Sequence, residues 1–143
     1  MSFCDVTIKS NTQNLDTDDI ETLVSLIGKD NVIITDCDDY ELPKFVLSAN
    51  IEDILIYLQN VEDLGNSYEI YCDYHSTIID EDNYKSNYRG SFINNRSIAE
   101  DYLENLDLDL HDIVTSNLDY DGIVKDLDYL VIPGSIDLYV YSE

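Results

Sequence analysis

Basic residues are scarce in this chain: 7 Lys and Arg stand against 31 Asp and Glu in 143 residues, a formal net charge of −24 with both histidines neutral. A protein that grips phosphates needs Lys and Arg to displace condensed counterions, so the shortage excludes a direct nucleic-acid binder and, by the same repulsion, an anionic membrane surface. Long apolar runs are also missing. No stretch approaches the ~20 apolar residues of a membrane span, and the first residues contain no basic region leading into an apolar one, so the chain is expected to be soluble and unexported. Cys4, Cys37 and Cys72 include no CxxC pair, and an odd number at wide spacing reads as three lone thiols in a reducing cytosol, not as a zinc site or a disulfide framework. HExxH, GxGxxG, a GKS or GKT loop and a nucleophile elbow are all lacking, so no catalysis is announced and no cofactor is implied. His75, near Asp73, and His111, between Asp109 and Asp112, therefore read as ordinary side chains and not as general bases or metal ligands.

Calcium is a sharper alternative, because Asp36–Asp39, Asp80–Asn83 and Asp119–Gly122 each open like a loop of oxygen ligands. The register then fails. Counting from Asp36 the sixth and twelfth residues are Glu41 and Leu47, from Asp80 they are Lys85 and Ser91, and from Asp119 they are Val124 and Leu130. Neither the turn glycine nor the bidentate Glu stands in place, which leaves a calcium-responsive binding module as the alternative from another functional class and gives no dedicated metal site.

What the chain does have is enough apolar material to fold. Hydrophobic residues make up 44% and aromatics 10%, unlike a disordered acidic tail, and a chain of this length buries roughly two-thirds of its unfolded surface. The patterning predicts an α+β protein of two small α/β units in tandem, residues 1–65 and 66–143. In the first, Phe3–Ile8 alternates as a strand with Cys4, Val6 and Ile8 on one side, a helix capped by Thr17 follows and stops at Gly28, and Asn31–Thr35 is a second strand. Pro43 breaks the chain, and Ser48 or Asn50 caps a helix carrying Ile51, Ile54, Leu55 and Leu58 that Gly65 ends. The second unit is expected to open with a strand over Ser67–Cys72. A short helix over Asp80–Tyr88 closes at Gly90, Asn94 or Asn95 caps a helix with Ile98, Ala99, Tyr102 and Leu103 inward, and Asp119 caps a helix through Ile123, Val124 and Leu127. A hairpin with a type II turn at Pro133-Gly134 completes it, with Leu138 and Val140 on one face and Tyr139 and Tyr141 on the other.

The charge itself is the strongest functional signal. Acids run from Asp5 to Glu143 without forming a tail, and Asp outnumbers Glu 22 to 9, so the charges sit on short side chains close to the backbone. Carboxylates one helical turn apart are ~6 Å from each other, comparable with successive phosphates, and such like-charge pairs are unfavourable. Duplex DNA carries one charge per ~1.7 Å, so this net charge matches about 12 base pairs or ~40 Å of duplex. A compact domain of this length has a diameter just under ~40 Å. Mimicry of a phosphate backbone follows, with a merely solubilised or salt-adapted surface as the competing explanation. The acids expected to act are the loop Asp36, Asp38, Asp39 and Glu41, the helix face Glu100, Asp101 and Glu104, and the run Asp107, Asp109, Asp112, Asp119, Asp121 and Asp126. Among the 12 tyrosines, Tyr57 and Tyr102 fall in apolar stripes, whereas Tyr40, Tyr84, Tyr88 and Tyr120, set among acids, are candidate exposed anchors.

Three segments carry a family resemblance. Within Asp36–Leu64, Asp39-Tyr40-Glu41-Leu42-Pro43 followed by a helix resembles the DYELP segment of the ArdA family of antirestriction proteins. Tyr84–Phe92 with Ser97–Tyr102 is similar to that family's Y-x-G-x-F segment and acidic helix, and Leu118–Leu127 resembles its Y-I-D-Y-x-x-x-x-R-D-L signature ahead of a closing hairpin. Lys125 stands where the family has Arg, Gly122 interrupts the helix, and the stretch between Leu64 and Tyr84 is shorter than in a three-domain member. The resemblance implies an elongated, homodimeric DNA mimic from a phage or mobile element, acting in the bacterial cytoplasm. It would fill the DNA groove of a type I restriction-modification enzyme or, redirected, the nucleic-acid channel of a CRISPR effector.

Overall fold

A computed structural model describes residues 2–38, 41–106 and 118–143, and divides the chain into two compact units, Met1–Glu81 and Asp82–Glu143. The fold is α+β, with seven helices and two antiparallel three-stranded sheets among the described residues. No helix of these residues is long and apolar enough to cross a membrane.

The first unit opens with β1 (Phe3–Ile8) and β2 (Asn11–Asp16), followed by α1 (Thr17–Ile27), β3 (Ile33–Cys37), α2 (Lys44–Leu47), α3 (Ile51–Leu64) and α4 (Asn66–His75). Strand β1 lies at the centre of the order β2-β1-β3. Its alternation buries Cys4 and Val6, as the pattern predicts, and Ile20 of α1 is buried as well. β2 was not expected: Asn-Thr-Gln-Asn-Leu-Asp has no apolar alternation, and it is a strand because it pairs along its whole length with β1. Asp16, and not Thr17, is the N-cap of α1, its carboxylate accepting from the Asp19 N–H at 2.8 Å.

β3 starts later than the expected Asn31 and contains a register shift. Val6 faces Ile34 and Asp5 faces Asp36, which leaves Thr35 as an extra residue between them. Period-two alternation would put residues 34 and 37 on opposite faces, and the extra residue brings both inward, Ile34 at 3% and Cys37 at 4% exposure. Cys37 then faces Cys4 in register, and the two form a disulfide across β1 and β3. The expectation of three lone thiols is corrected for this pair, because sequence spacing does not reveal strand register. Cys72 alone is a free cysteine, and it is buried.

Gly28 and Gly65 end their helices at positive φ, 90° and 81°, as expected. Asn50 is the N-cap of α3, accepting from the Asp53 N–H at 3.0 Å, and Ile54, Tyr57, Leu58 and Val61 form the buried stripe of that helix. The strand expected over Ser67–Cys72 is instead the middle of α4. Ser67, Tyr68, Tyr71 and Cys72 are its buried residues, a spacing of one helical turn that brings Tyr68 against Tyr57 with ring centroids 5.9 Å apart. The Tyr and Ile content favoured a strand locally, and packing on α3 overrode it.

In the second unit, α5 (Glu81–Asn87) begins at the junction and leads into β4 (Tyr88–Phe92), α6 (Asn95–Asn105), α7 (Tyr120–Asp126) and the hairpin β5 (Tyr129–Pro133) and β6 (Leu138–Ser142). β6 is the central strand of the order β4-β6-β5. Ile98 and Ala99 of α6, Val124 of α7 and Val140 of β6 form the core. Asn94 caps α6 in a capping box with Ser97. Asp119 caps α7, and the helix runs on through Gly122, which was expected to interrupt it. A Cβ at that position would meet Asp119 Oδ2 at 2.5 Å, so the glycine makes room for the cap.

Two further expectations change here. The type II turn is replaced by a loop in which the Gly134 N–H donates to the Asp137 carbonyl at 2.7 Å, and Pro133 ends β5 on the sheet edge, where a missing N–H is tolerated. Tyr141, expected on the face opposite Val140, is fully buried, as Val140 is. It packs at 5.5 Å from Tyr88, which stacks on buried Tyr84 at 5.2 Å, so Tyr84 is an internal residue and not an exposed anchor. Tyr88 and Tyr120 are half-buried, and Tyr40 lies outside the described residues.

Candidate partner-binding surface

Among the described residues no carboxylate is buried, and 23 of the 27 are exposed; the buried polar residues are Ser2, Asn60 and Ser67. The acids are divided unevenly. The first unit has 18 against 3 basic residues and the second 13 against 4, net −15 and −9, which account for the whole chain's −24.

In the first unit the sheet builds an acidic outer face. Asp5 lies opposite Asn14 on one side and Asp36 on the other, so all three side chains share the face turned away from Cys4 and Val6. The Asn14 amide donates to Asp5 Oδ1 at 3.0 Å and to both Asp38 oxygens at 3.2 and 3.3 Å. Asp36 accepts from the Cys37 N–H at 2.9 Å. A neutral amide thus fixes two carboxylates without cancelling either charge, where a lysine would have neutralised one. The same device recurs where Asn50 donates to Asp53 and Gln59 to Asp63, each at 3.0 Å. Asp36 and Asp38 were expected here. Asp5 was missed, although the strand alternation that put Cys4 and Val6 inward already turned it outward. Glu41 is exposed beside a separate groove, and Asp39 is outside the described residues.

In the second unit Glu100, Asp101 and Glu104 are all exposed on α6. Glu100 is paired with Arg96 at 2.8 Å, and that hydrogen bond, reinforced by Tyr120, holds the guanidinium still more firmly protonated. Asp101 accepts from the Asn105 amide at 3.4 Å. Asp121 accepts from Asn95 at 3.2 Å, tying the start of α7 to the start of α6, whereas Asp119 is occupied as the α7 cap and Asp126 is exposed at the other end. Asp107, Asp109 and Asp112 lie outside the described residues. Two cations are engaged with rings: Arg96 lies 5.0 Å from the Tyr120 centroid and Arg89 6.0 Å from that of Tyr129.

Comparison with protein-family models, curated proteins and solved structures finds no match. The surface therefore has to be read from its own chemistry. Among the described residues no group of three or more His, Cys, Asp or Glu side chains is arranged to hold a metal ion. His75 ends α4 with its ring edge-on to Tyr71 at 4.9 Å and Tyr74 at 5.0 Å; His111 is outside the described residues. The shifted groups of the first unit lie on α4. Burial pushes the Tyr68 phenol up, against the opposing hydrogen bond from Asn60, and burial likewise raises the Cys72 thiol, which makes it a poor nucleophile. Tyr68 Oη accepts from Asn60 at 3.3 Å and donates to the Ile79 carbonyl at 2.5 Å, a structural clasp inside the first unit.

Proposed function

We propose that the chain is a non-catalytic DNA mimic that inhibits a host defence enzyme, with the DNA-binding groove of a type I restriction-modification enzyme as its target. The observation that carries the reading is an outward-facing carboxylate set held in place by neutral amides, Asn14 above all, so that position is fixed and charge is kept. A surface selected only for solubility needs charge but no fixed positions. A surface that substitutes for phosphates needs both, because the Lys and Arg lining a DNA groove are themselves fixed in space. The choice of target rests on the resemblance to antirestriction proteins at Asp36–Leu64, Tyr84–Phe92 and Leu118–Leu127, and the proposal includes action as a homodimer.

The test is competition. Purified protein is titrated against a type I restriction enzyme on duplex DNA at two salt concentrations, with a CRISPR nuclease in parallel. Inhibition that competes with DNA and weakens at high salt is expected. Single neutralisations should have little effect, since exposed pairs contribute ~0–1 kcal/mol each, whereas Asp5→Asn, Asp36→Asn and Asp38→Asn together should weaken inhibition about 10- to 100-fold. Unchanged DNA binding by both enzymes at saturating protein would reject the reading.

A further inference from the structure

The first unit contains a groove of about 490 Å³ where the segment before α2 meets α4. Its floor is apolar: Leu42 and Tyr57 are buried and Ile70 is half-buried. Its rim is acidic, with Glu41 on one side and Glu69 and Asp73, one helical turn apart, on the other. We infer that this groove is an anchor for a single arginine side chain of the partner protein. The three methylenes of an arginine would lie along Leu42 and Ile70, and the guanidinium fork would meet the Glu69 and Asp73 carboxylates, donating N–H to oxygen on two sides.

Charge complementarity and shape both favour this occupant. An apolar guest would have to strip water from three carboxylates, and an anion would be repelled by them. A lysine offers a compact, strongly hydrated ammonium, whereas guanidinium is planar, more weakly hydrated and able to bridge two carboxylates at once. Lys44 also lines the groove, yet among the described residues it forms no ion pair with Glu41, Glu69 or Asp73. The unpaired state carries a penalty that a guest would relieve: burial first, and Asp73 second, push the Glu69 carboxyl above its ordinary value of 4.5. The groove thus differs from the sheet face around Asn14, where an amide already satisfies the carboxylates.

The inference rests on the proposed function only for which protein supplies the arginine, and it is tested without that protein. The full chain, labelled with ¹⁵N, is titrated with Nα-acetylarginine amide, and in parallel with the lysine analogue and with the neutral isostere Nα-acetylcitrulline amide. Amide shifts confined to residues 41–44 and 66–73, stronger for arginine than for lysine and absent for citrulline, are expected. Glu69→Gln with Asp73→Asn should weaken arginine binding at least about fivefold, and Asp128→Asn, at an exposed position of the second unit outside the proposed DNA-mimic set, should leave it unchanged. Shifts spread evenly over the acidic residues, or equal affinity for arginine and lysine, would overturn the inference. Localised binding in a chain that fails to displace DNA would remove the proposed target and keep the groove. Displacement of DNA with scattered shifts would do the reverse.

Discussion

The two units hold their acids in place by different means. In the first, neutral amides position the carboxylates: Asn14 for Asp5 and Asp38, Asn50 for Asp53, Gln59 for Asp63. In the second, cations share the task, with Arg96 paired to Glu100 and both Arg96 and Arg89 over tyrosine rings. The first unit also carries the steeper charge, net −15 against net −9, chiefly because it has 18 acids to the second unit's 13. Like charges crowded on a small unit work against its compact state, and the first unit has a covalent bond between β1 and β3, whereas the second contains no cysteine.

That contrast is open to attack at several points. Replacing Cys4 and Cys37 together by Ser should have the largest effect, destabilising the first unit by about 3 to 4 kcal/mol, since the bond closes a loop with a separation of 33 residues. Hydrogen exchange should record the loss at β1, β3 and α1 and leave the β6 amides protected; equal loss in both units would erase the distinction. Tyr68→Phe comes next. It strands the buried Asn60 amide and the Ile79 carbonyl, and should lower stability by about 1–3 kcal/mol in a denaturant titration. Removing the helix caps sharpens the comparison further: Asp16→Ala and Asp119→Ala should each cost about 1 kcal/mol, read out separately at α1 and α7.

The smallest effect is a pH dependence. Because the folded Glu69 carboxyl is raised above its ordinary 4.5, the folded state holds that proton more tightly. The stability it contributes is complete below 4.5 and is lost as pH rises through the raised value. Glu69→Gln should therefore be slightly more stable than the parent at neutral pH, with the gap closing on acidification below 4.5. A gap that stays constant from neutral to acid pH would show that the carboxyl is not perturbed.

Local signals in the sequence proved sound where a few neighbouring residues decide the outcome. Gly28, Gly65, Asn50, Asn94 and Asp119 mark helix ends through their own backbone and side-chain chemistry, and all five do so in the structure. Distant partners were invisible. β2 is a strand only because β1 lies beside it, Cys37 finds Cys4 only through register, and the Tyr-rich stretch at residues 68–71 is helical because α3 receives it. The candidate surface divides in the same way. Asp36 and Asp38 stand out as part of an acidic string, whereas the joining of Asp5 to Asp38 through Asn14 depends on three strands lying side by side.

The extra residue at Thr35 has one more consequence. It stands outside the pairing of β3, so the residues on either side keep the register of an unbroken strand and alternate as if Thr35 were not there. Cys37 and the pair Asp36 and Asp38 are written on the same line of that alternation, with opposite sense. Deleting Thr35 would close the bulge and leave every pair intact, but inserting a residue between Asp36 and Cys37 would turn the cysteine outward and Asp38 inward. The charged face and the covalent bond therefore stand or fall together, and a chain that closes its disulfide has by that act checked that its acids point outward.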